Sequence, residues 1–369
     1  MCNLHINYTL NKYLGAFFCL GCLLLGCNTE SGVQKTAFVK HSVKKNQVFL
    51  SAKDTPSLGM PTSIKAVSDG LYFVDEGHYQ ITKVDKEGDH LLSFGNSGRG
   101  PGELQSIAGF WPFKNEYLVY DYNSFKFLTF DLRGNLIDEE VLNENPVNPD
   151  SESSIPITLD ALSSDKLIIP TGGRSGSLFA IEDRISGDVT YTGTAVGEFI
   201  QVYNRQEVMQ AYSRGEIPDK LVNLVMLSSS SNAIYSMQQT TGILEKYTHA
   251  GEQVWEKVLN IPAQRNLFDQ IAQYNKEFGL DNGRRIFMYV RAMDAREGGV
   301  ALLLNMPDDR PLTIAWVSKY GNTIDLIEVE GITLDVHGFM EGFTVSPDGQ
   351  WAYYLERDTG IIYQFKWPL

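Results

Sequence analysis

Four residues near the start, Leu24-Leu25-Gly26-Cys27, carry the most specific chemistry in the chain. They close an apolar run over residues 14–25 that follows the positively charged Lys12. That order of charge, apolar stretch, small residue and cysteine is the pattern of an export signal cut before Cys27, whose thiol then takes a lipid. A spanning helix needs about 20 apolar residues, and this run is shorter. The expected layout is a signal peptide over residues 1–26, a polar tether over 27–35, and a folded body over 36–369.

Other candidate chemistry is sparse. The mature chain holds His41, His78, His90, His249 and His337, with no H-x-H or H-x-x-x-H spacing, so no metal site is expected. Calcium on Asp75, Asp121 and Asp308 competes with the plainer reading of loop-capping aspartates. Residues 98–102 are glycine-rich but lack G-x-G-x-x-G and any following Lys-Ser or Lys-Thr, which reads as a turn rather than a phosphate cradle. Arg99 and Glu103 could clamp a carboxylate or sugar, or fix that turn. No G-x-S-x-G elbow occurs. No cofactor is expected.

The cysteines are Cys2, Cys19, Cys22 and Cys27. The first three leave with the signal, so the body has neither thiol nor disulfide and stands on core burial alone. Formal net charge is −14, which disfavours nucleic acid as a partner.

The body repeats one grammar: turn, apolar strand, turn, alternating strand. Leu71-Tyr72-Phe73-Val74 is followed by Ile81-Thr82-Lys83-Val84, and Tyr117-Leu118-Val119-Tyr120 by Phe127-Leu128-Thr129-Phe130. Four further copies follow, the last being Trp351-Ala352-Tyr353-Tyr354-Leu355 with Ile361-Ile362-Tyr363-Gln364-Phe365. Anchors at Asp75, Asp121, Thr171, Ser236, Asn305 and Glu356 are spaced 46, 50, 65, 69 and 51 residues apart. Four-stranded propeller blades take about 40–50 residues. The two long gaps hold helical insertions, one around Val208, Met209 and Tyr212, the other capped by Asn266 with Leu267, Ile271, Tyr274 and Phe278 on one face. The expected fold is all-β, a six-bladed β-propeller. The sixth copy lacks a fourth strand, which residues 38–50 would supply, closing the ring.

Blades one and two, with Ser93-Phe94-Gly95 and Gly98-Arg99-Gly100-Pro101-Gly102-Glu103-Leu104 between them, resemble NHL/TolB-like six-bladed propellers, especially lipoproteins of the Bacteroidota type. Ser346-Pro347-Asp348-Gly349 resembles the S-P-D-G hairpin of TolB relatives. The resemblance implies this fold and a place in the bacterial cell envelope, anchored in the outer membrane by the lipid on Cys27. Propeller lyases that cut amidated peptides or streptogramins use several channel histidines and a metal, a set this sequence lacks.

Propeller ligands usually sit over the channel. The loops between second and third strands would carry the functional face, with hairpins 68–70, 85–88, 131–134 and 347–349 on the other. Candidate ligand residues are His78, Tyr79, Arg99, Glu103, Asp121, Tyr122, Arg174, Arg310 and Arg357. Trp111 joins Tyr79 and Tyr122 near the mouth, while Trp316, Trp351 and Trp367 read as core. The expected role is a binding or scaffold module for a peptide, glycan or protein. The alternative is a lyase or glycan hydrolase. Three titratable side chains converging in the channel would favour the enzyme; a wide aromatic mouth would favour binding.

Overall fold

The structure, a computed structural model, describes residues 38–44, 47–51, 53, 58–142, 159–197, 205–278, 285, 287–307, 310–333 and 342–369. The chain divides into two units, Met1–Lys35 and Thr36–Leu369, and the described residues all lie in the second. The signal, Cys27, the tether, Asp308 and His337 lie outside the described residues.

Two strands come first, β1 (Phe38–Lys44) and β2 (Gln47–Ser51). Blade one is β3 (Pro61–Val67), β4 (Gly70–Asp75), β5 (Gln80–Val84) and β6 (His90–Phe94). A short parallel ribbon, β7 (Asn96–Ser97) with β8 (Glu103–Leu104), leads to blade two: β9 (Ile107–Pro112), β10 (Glu116–Asp121), β11 (Lys126–Asp131) and β12 (Leu136–Val141). Blade three is β13 (Asp160–Ser163), β14 (Lys166–Pro170), β15 (Phe179–Asp183) and β16 (Val189–Thr192). Helices α1 (Arg205–Ser213) and α2 (Asp219–Val222) precede blade four: β17 (Val225–Ser230), β18 (Ala233–Gln238), β19 (Ile243–Tyr247) and β20 (Gln253–Val258). Helix α3 (Pro262–Phe278) precedes blade five: β21 (Val290–Arg296), β22 (Gly299–Leu304), β23 (Pro311–Ser318) and β24 (Ile324–Thr333). Blade six is β25 (Gly342–Val345), β26 (Trp351–Glu356) and β27 (Ile361–Lys366), completed by β2.

The molecule is therefore a six-bladed β-propeller. Closure is more elaborate than the single strand expected over residues 38–50. β2 pairs antiparallel with β27 as the missing fourth strand, whereas β1 pairs in parallel with β24 as a fifth strand of blade five. The N-terminal segment thus grips two blades.

Second strands are buried on both faces because each blade is sandwiched between two others. β4, β18 and β22 are buried along their whole length, which is why they read as unbroken apolar runs. Outer strands such as β12 face solvent and carry charge. In blade four the second strand continues past Ser236 to Gln238. Third-to-fourth-strand hairpins recur as an Asp-x-x-Gly turn: Asp131 accepts the amides of Arg133 and Asn135, and Gly134 takes φ 81°.

The helical insertions are present with shifted bounds. α3 starts at Pro262, so Asn266 lies inside it rather than at its cap. Proline suits the first helical turn because its missing N–H would be unpaired there. The inner face is Gln264, Leu267, Ile271 and Asn275; Tyr274 is half-buried and Phe278 is exposed. Leu267 and Ile271 meet Val208 and Tyr212 of α1, with Leu221 and Phe287, in a small core of their own.

Candidate functional site

The innermost strand of each blade (β3, β9, β13, β17, β21 and β25) lines the central channel. Two aspartates, the fully buried Asp294 and the half-buried Asp160, tie these strands together. Asp160 of blade three accepts the indole N–H of Trp111 in blade two at 2.7 Å and the amide of Ser229 in blade four at 2.5 Å. Asp294 of blade five accepts Lys65 Nζ of blade one at 3.3 Å, and Thr344 Oγ1 and the Val345 amide of blade six at 3.1 and 2.7 Å. Its neighbour Arg296 adds a guanidinium contact at 2.8 Å. Each carboxylate joins three blades, and the two together reach all six.

The pair titrates in opposite senses. Burial pushes the Asp160 carboxyl up, and Lys65 with the Ser229, Ala161 and Trp111 donors only partly offsets it. Burial also pushes Asp294 up, but Arg296, Lys65 and the Val345 amide outweigh it and hold the group low. For Asp160, the native state takes up a proton at a pH where the unfolded chain, with its carboxyl near about 3.9, stays ionised. Stability from this group therefore rises as pH falls through its native pKa. The contribution of Asp294 is complete above the unfolded value and is lost as pH falls through its lower native pKa. Chemical denaturation should show stability rising on mild acidification and falling in strong acid. Asp160→Asn should flatten the rise and spare the fall. A steady decline from neutral pH, unchanged by Asp160→Asn, would contradict this assignment.

Above these ties, a cavity of about 860 Å³ opens among the first-to-second-strand hairpins. Its walls include Trp111, Phe113, Trp316 and Trp367, with Lys65 and Arg296 also lining it. Trp316 and Trp367 meet edge to face at 5.9 Å. Both were expected as core. Trp367 is indeed buried, but Trp316 is only half-buried and both rings border the cavity. A second cavity of about 190 Å³ lies deeper, against Ser63, Lys65, Gly109, Trp111, Arg291 and Asp294. The larger cavity thus opens on the hairpin face, opposite the face read as functional from sequence.

The candidate residues named from sequence sit on the loop face and beside the linkers. Asp75 is buried; its oxygens accept the amides of Gly59, Met60 and Gly77 and the Nδ1 of His78 at 2.9 Å. Burial raises its pKa, but the Gly59 amide, His78 and the Met60 amide more than reverse this and hold it low. Asp121 does the same in blade two for the amides of Gln105, Ser106 and Asn123 and the hydroxyl of Ser124. Both carboxylates staple the incoming linker to their own blade. Tyr79 takes a left-handed φ of 54° at the same turn, and Tyr122 meets Phe125 edge to face.

In the glycine-rich linker, Glu103 accepts the Gly100 amide and Glu139 accepts the Gly102 amide. The buried Lys126 pairs with Glu139 at 3.1 Å and donates to the carbonyls of Arg99 and Gly100. These amides are occupied by carboxylates of the chain itself, so the loop is not open to phosphate. The side chain of Arg99 is exposed, as are those of Arg174 and Arg310; Arg357 is half-buried. The bonds made by His78, Glu103 and Asp121 stay within one turn or its linker, and none joins candidates from different blades. Among the described residues, no cluster of three or more His, Cys, Asp or Glu could hold a metal.

Sequence reading missed Lys65, Asp160, Asp294, Arg296 and Thr344. Their signal was polar residues inside first strands, where apolar alternation was expected.

A family model described as a 6-bladed beta-propeller matches residues 42–150, covering β2 and the first two blades. Among solved structures, a protein from Bacteroides fragilis NCTC 9343 described as exported is 12% identical, with a TM-score of 0.53 over 89% of this chain and 99% of that one. A streptogramin B lyase structure is 11% identical, with a TM-score of 0.46 over 84% of this chain and 93% of that one. The virginiamycin B lyase of Staphylococcus aureus is 10% identical, with a TM-score of 0.42 over 87% and 88%. At these identities the first likeness speaks to fold alone, and the two lyases carry nothing further. No curated protein matches the chain.

Proposed function

We propose that this chain is a binding module of the bacterial envelope, an NHL/TolB-like propeller moored to the outer membrane through a lipid on Cys27, which holds a peptide, glycan or protein at its channel mouth. One observation carries the binding role. The cavity has a mouth walled by Trp111, Trp316 and Trp367 over charges that are already committed to one another. Aromatic walls give broad contact area for sugar faces or apolar side chains.

A specific observation also favours an enzyme, a lyase or glycan hydrolase. Lys65, Asp294 and Arg296 converge within hydrogen-bond reach. Asp294 is held ionised, sealed from solvent and occupied by four donors, which suits a blade tie better than a proton carrier. Binding is therefore the first reading.

Purified protein should be screened on glycan and peptide arrays and compared with Trp316→Ala. The expected result is a ligand whose Kd rises about tenfold or more in the variant, with the melting temperature used to exclude unfolding. A ligand bound equally by both proteins would overturn the cavity assignment. Cleavage of the ligand, read by mass spectrometry, would favour the enzyme. Independently, Cys27→Ala should move the protein from the membrane to the soluble fraction; retention on membranes would contradict the lipid.

A further inference from the structure

We infer that the hairpin face is the face turned toward the membrane, with the hairpin tips of blades two, three and five nearest to it and the mouth of the large cavity opening into the gap between propeller and bilayer. This rests on the lipid reading of Cys27 and goes beyond it, because a lipid fixes attachment but not orientation.

Two independent features point to the same side. The first is where the chain enters. Phe38 opens β1 beside Ile324, the first residue of β24. Strand β24 begins directly after the hairpin whose tip is Tyr320. The chain reaches the propeller at that hairpin, eleven residues after Cys27. Eleven residues span at most about 40 Å, which bounds the distance from the lipid to the blade-five hairpin.

The second feature is what the hairpin tips carry. Ile185 and Tyr320 are 79% and 71% exposed, the highest values among the large apolar side chains described, and Leu132 is 51% exposed. They stand at the third-to-fourth-strand hairpins of blades three, five and two. Tyr320 and Leu132 have exposed basic neighbours, Lys319 and Arg133, whereas Arg184 beside Ile185 is turned back onto Glu140. The acidic residues opening the turns in blades two and three, Asp131 and Asp183, bend inward onto turn amides. Apolar or tyrosyl tips beside cations suit the headgroup layer of a bilayer. Exposed apolar residues also occur on the loop face, Val141, Val196 and Val258 among them at 64%, 57% and 54%, but all are below Ile185 and Tyr320, and they lie away from the chain entry.

No cysteine follows Cys27, so single labels can be placed cleanly. Full lipidated protein would be reconstituted into vesicles of phosphatidylcholine and phosphatidylglycerol doped with a headgroup quencher. A fluorophore would sit at Glu87→Cys on the hairpin face or Asp358→Cys on the loop face, both exposed positions. The label at 87 should be quenched several-fold more than that at 358. Combining Leu132→Ser, Ile185→Ser and Tyr320→Ser should narrow the difference, and Tyr122→Ser should not. Equal quenching, stronger quenching at 358, or no effect of the triple variant overturns the proposal. Protein that fails to float with the vesicles overturns the lipid assignment itself, and this inference with it.

Discussion

Deleting residues 36–51, with residues 1–35 retained, should abolish cooperative unfolding, whereas deleting 36–44 should leave a folded ring. The contrast follows from the two N-terminal strands. β2 supplies the outer edge of blade six and buries Leu50 among Leu71, Leu355 and Ile362. Losing a buried leucine costs about 2–5 kcal/mol. The lost ladder and the newly open edge of β27 add to this. The sum approaches the whole stability of an ordinary domain, about 5–15 kcal/mol. β1 offers less, since most of its side chains face solvent and only Phe38, His41 and Val43 are half-buried. Its removal should cost roughly 2–3 kcal/mol from Phe38 and Val43. Urea unfolding followed by tryptophan fluorescence separates the outcomes. Equal losses for the two deletions would show that blade six does not depend on β2.

The second large effect is expected at Asp294. Asp294→Ala leaves Lys65 and Arg296 facing each other without their shared anion and removes acceptors from Thr344 and Val345. Breaking a buried pair in this way costs about 3–5 kcal/mol. Lys65→Met should cost less, because its head is partly solvated, with a third of the side chain exposed. Combining Lys65→Met with Asp294→Ala should cost less than the two losses added, since the double change removes both charges. A loss below about 1 kcal/mol for Asp294→Ala would mean that blades five, six and one are held by apolar packing alone.

Blade number was legible because second strands such as Leu71-Tyr72-Phe73-Val74 lie between neighbouring blades and must be apolar on both faces. The Asp75 and Asp121 anchors were legible because each ends its strand and caps a turn. The channel was not legible. Asp160 and Asp294 sit on first strands whose neighbours come from blades 49 to 229 residues away in sequence. Nothing local to those strands marks a carboxylate as a tie rather than a surface charge. The cavity on the hairpin face was not legible for a related reason: the reading of the loop face rested on where propeller ligands usually sit. The walls of the cavity, Trp316 and Trp367, read as core because one residue can both pack an inner strand and border a void.

The double clasp of β1 and β2 also sets an order of events in time. These strands leave the ribosome first, yet their partners, Ile324 to Glu330 and Ile361 to Gln364, are made last. Pairings this remote in sequence are slow to find. The ring cannot seal until residues 361–364 have been made, so the two N-terminal strands wait without their partners while the blades between are synthesised.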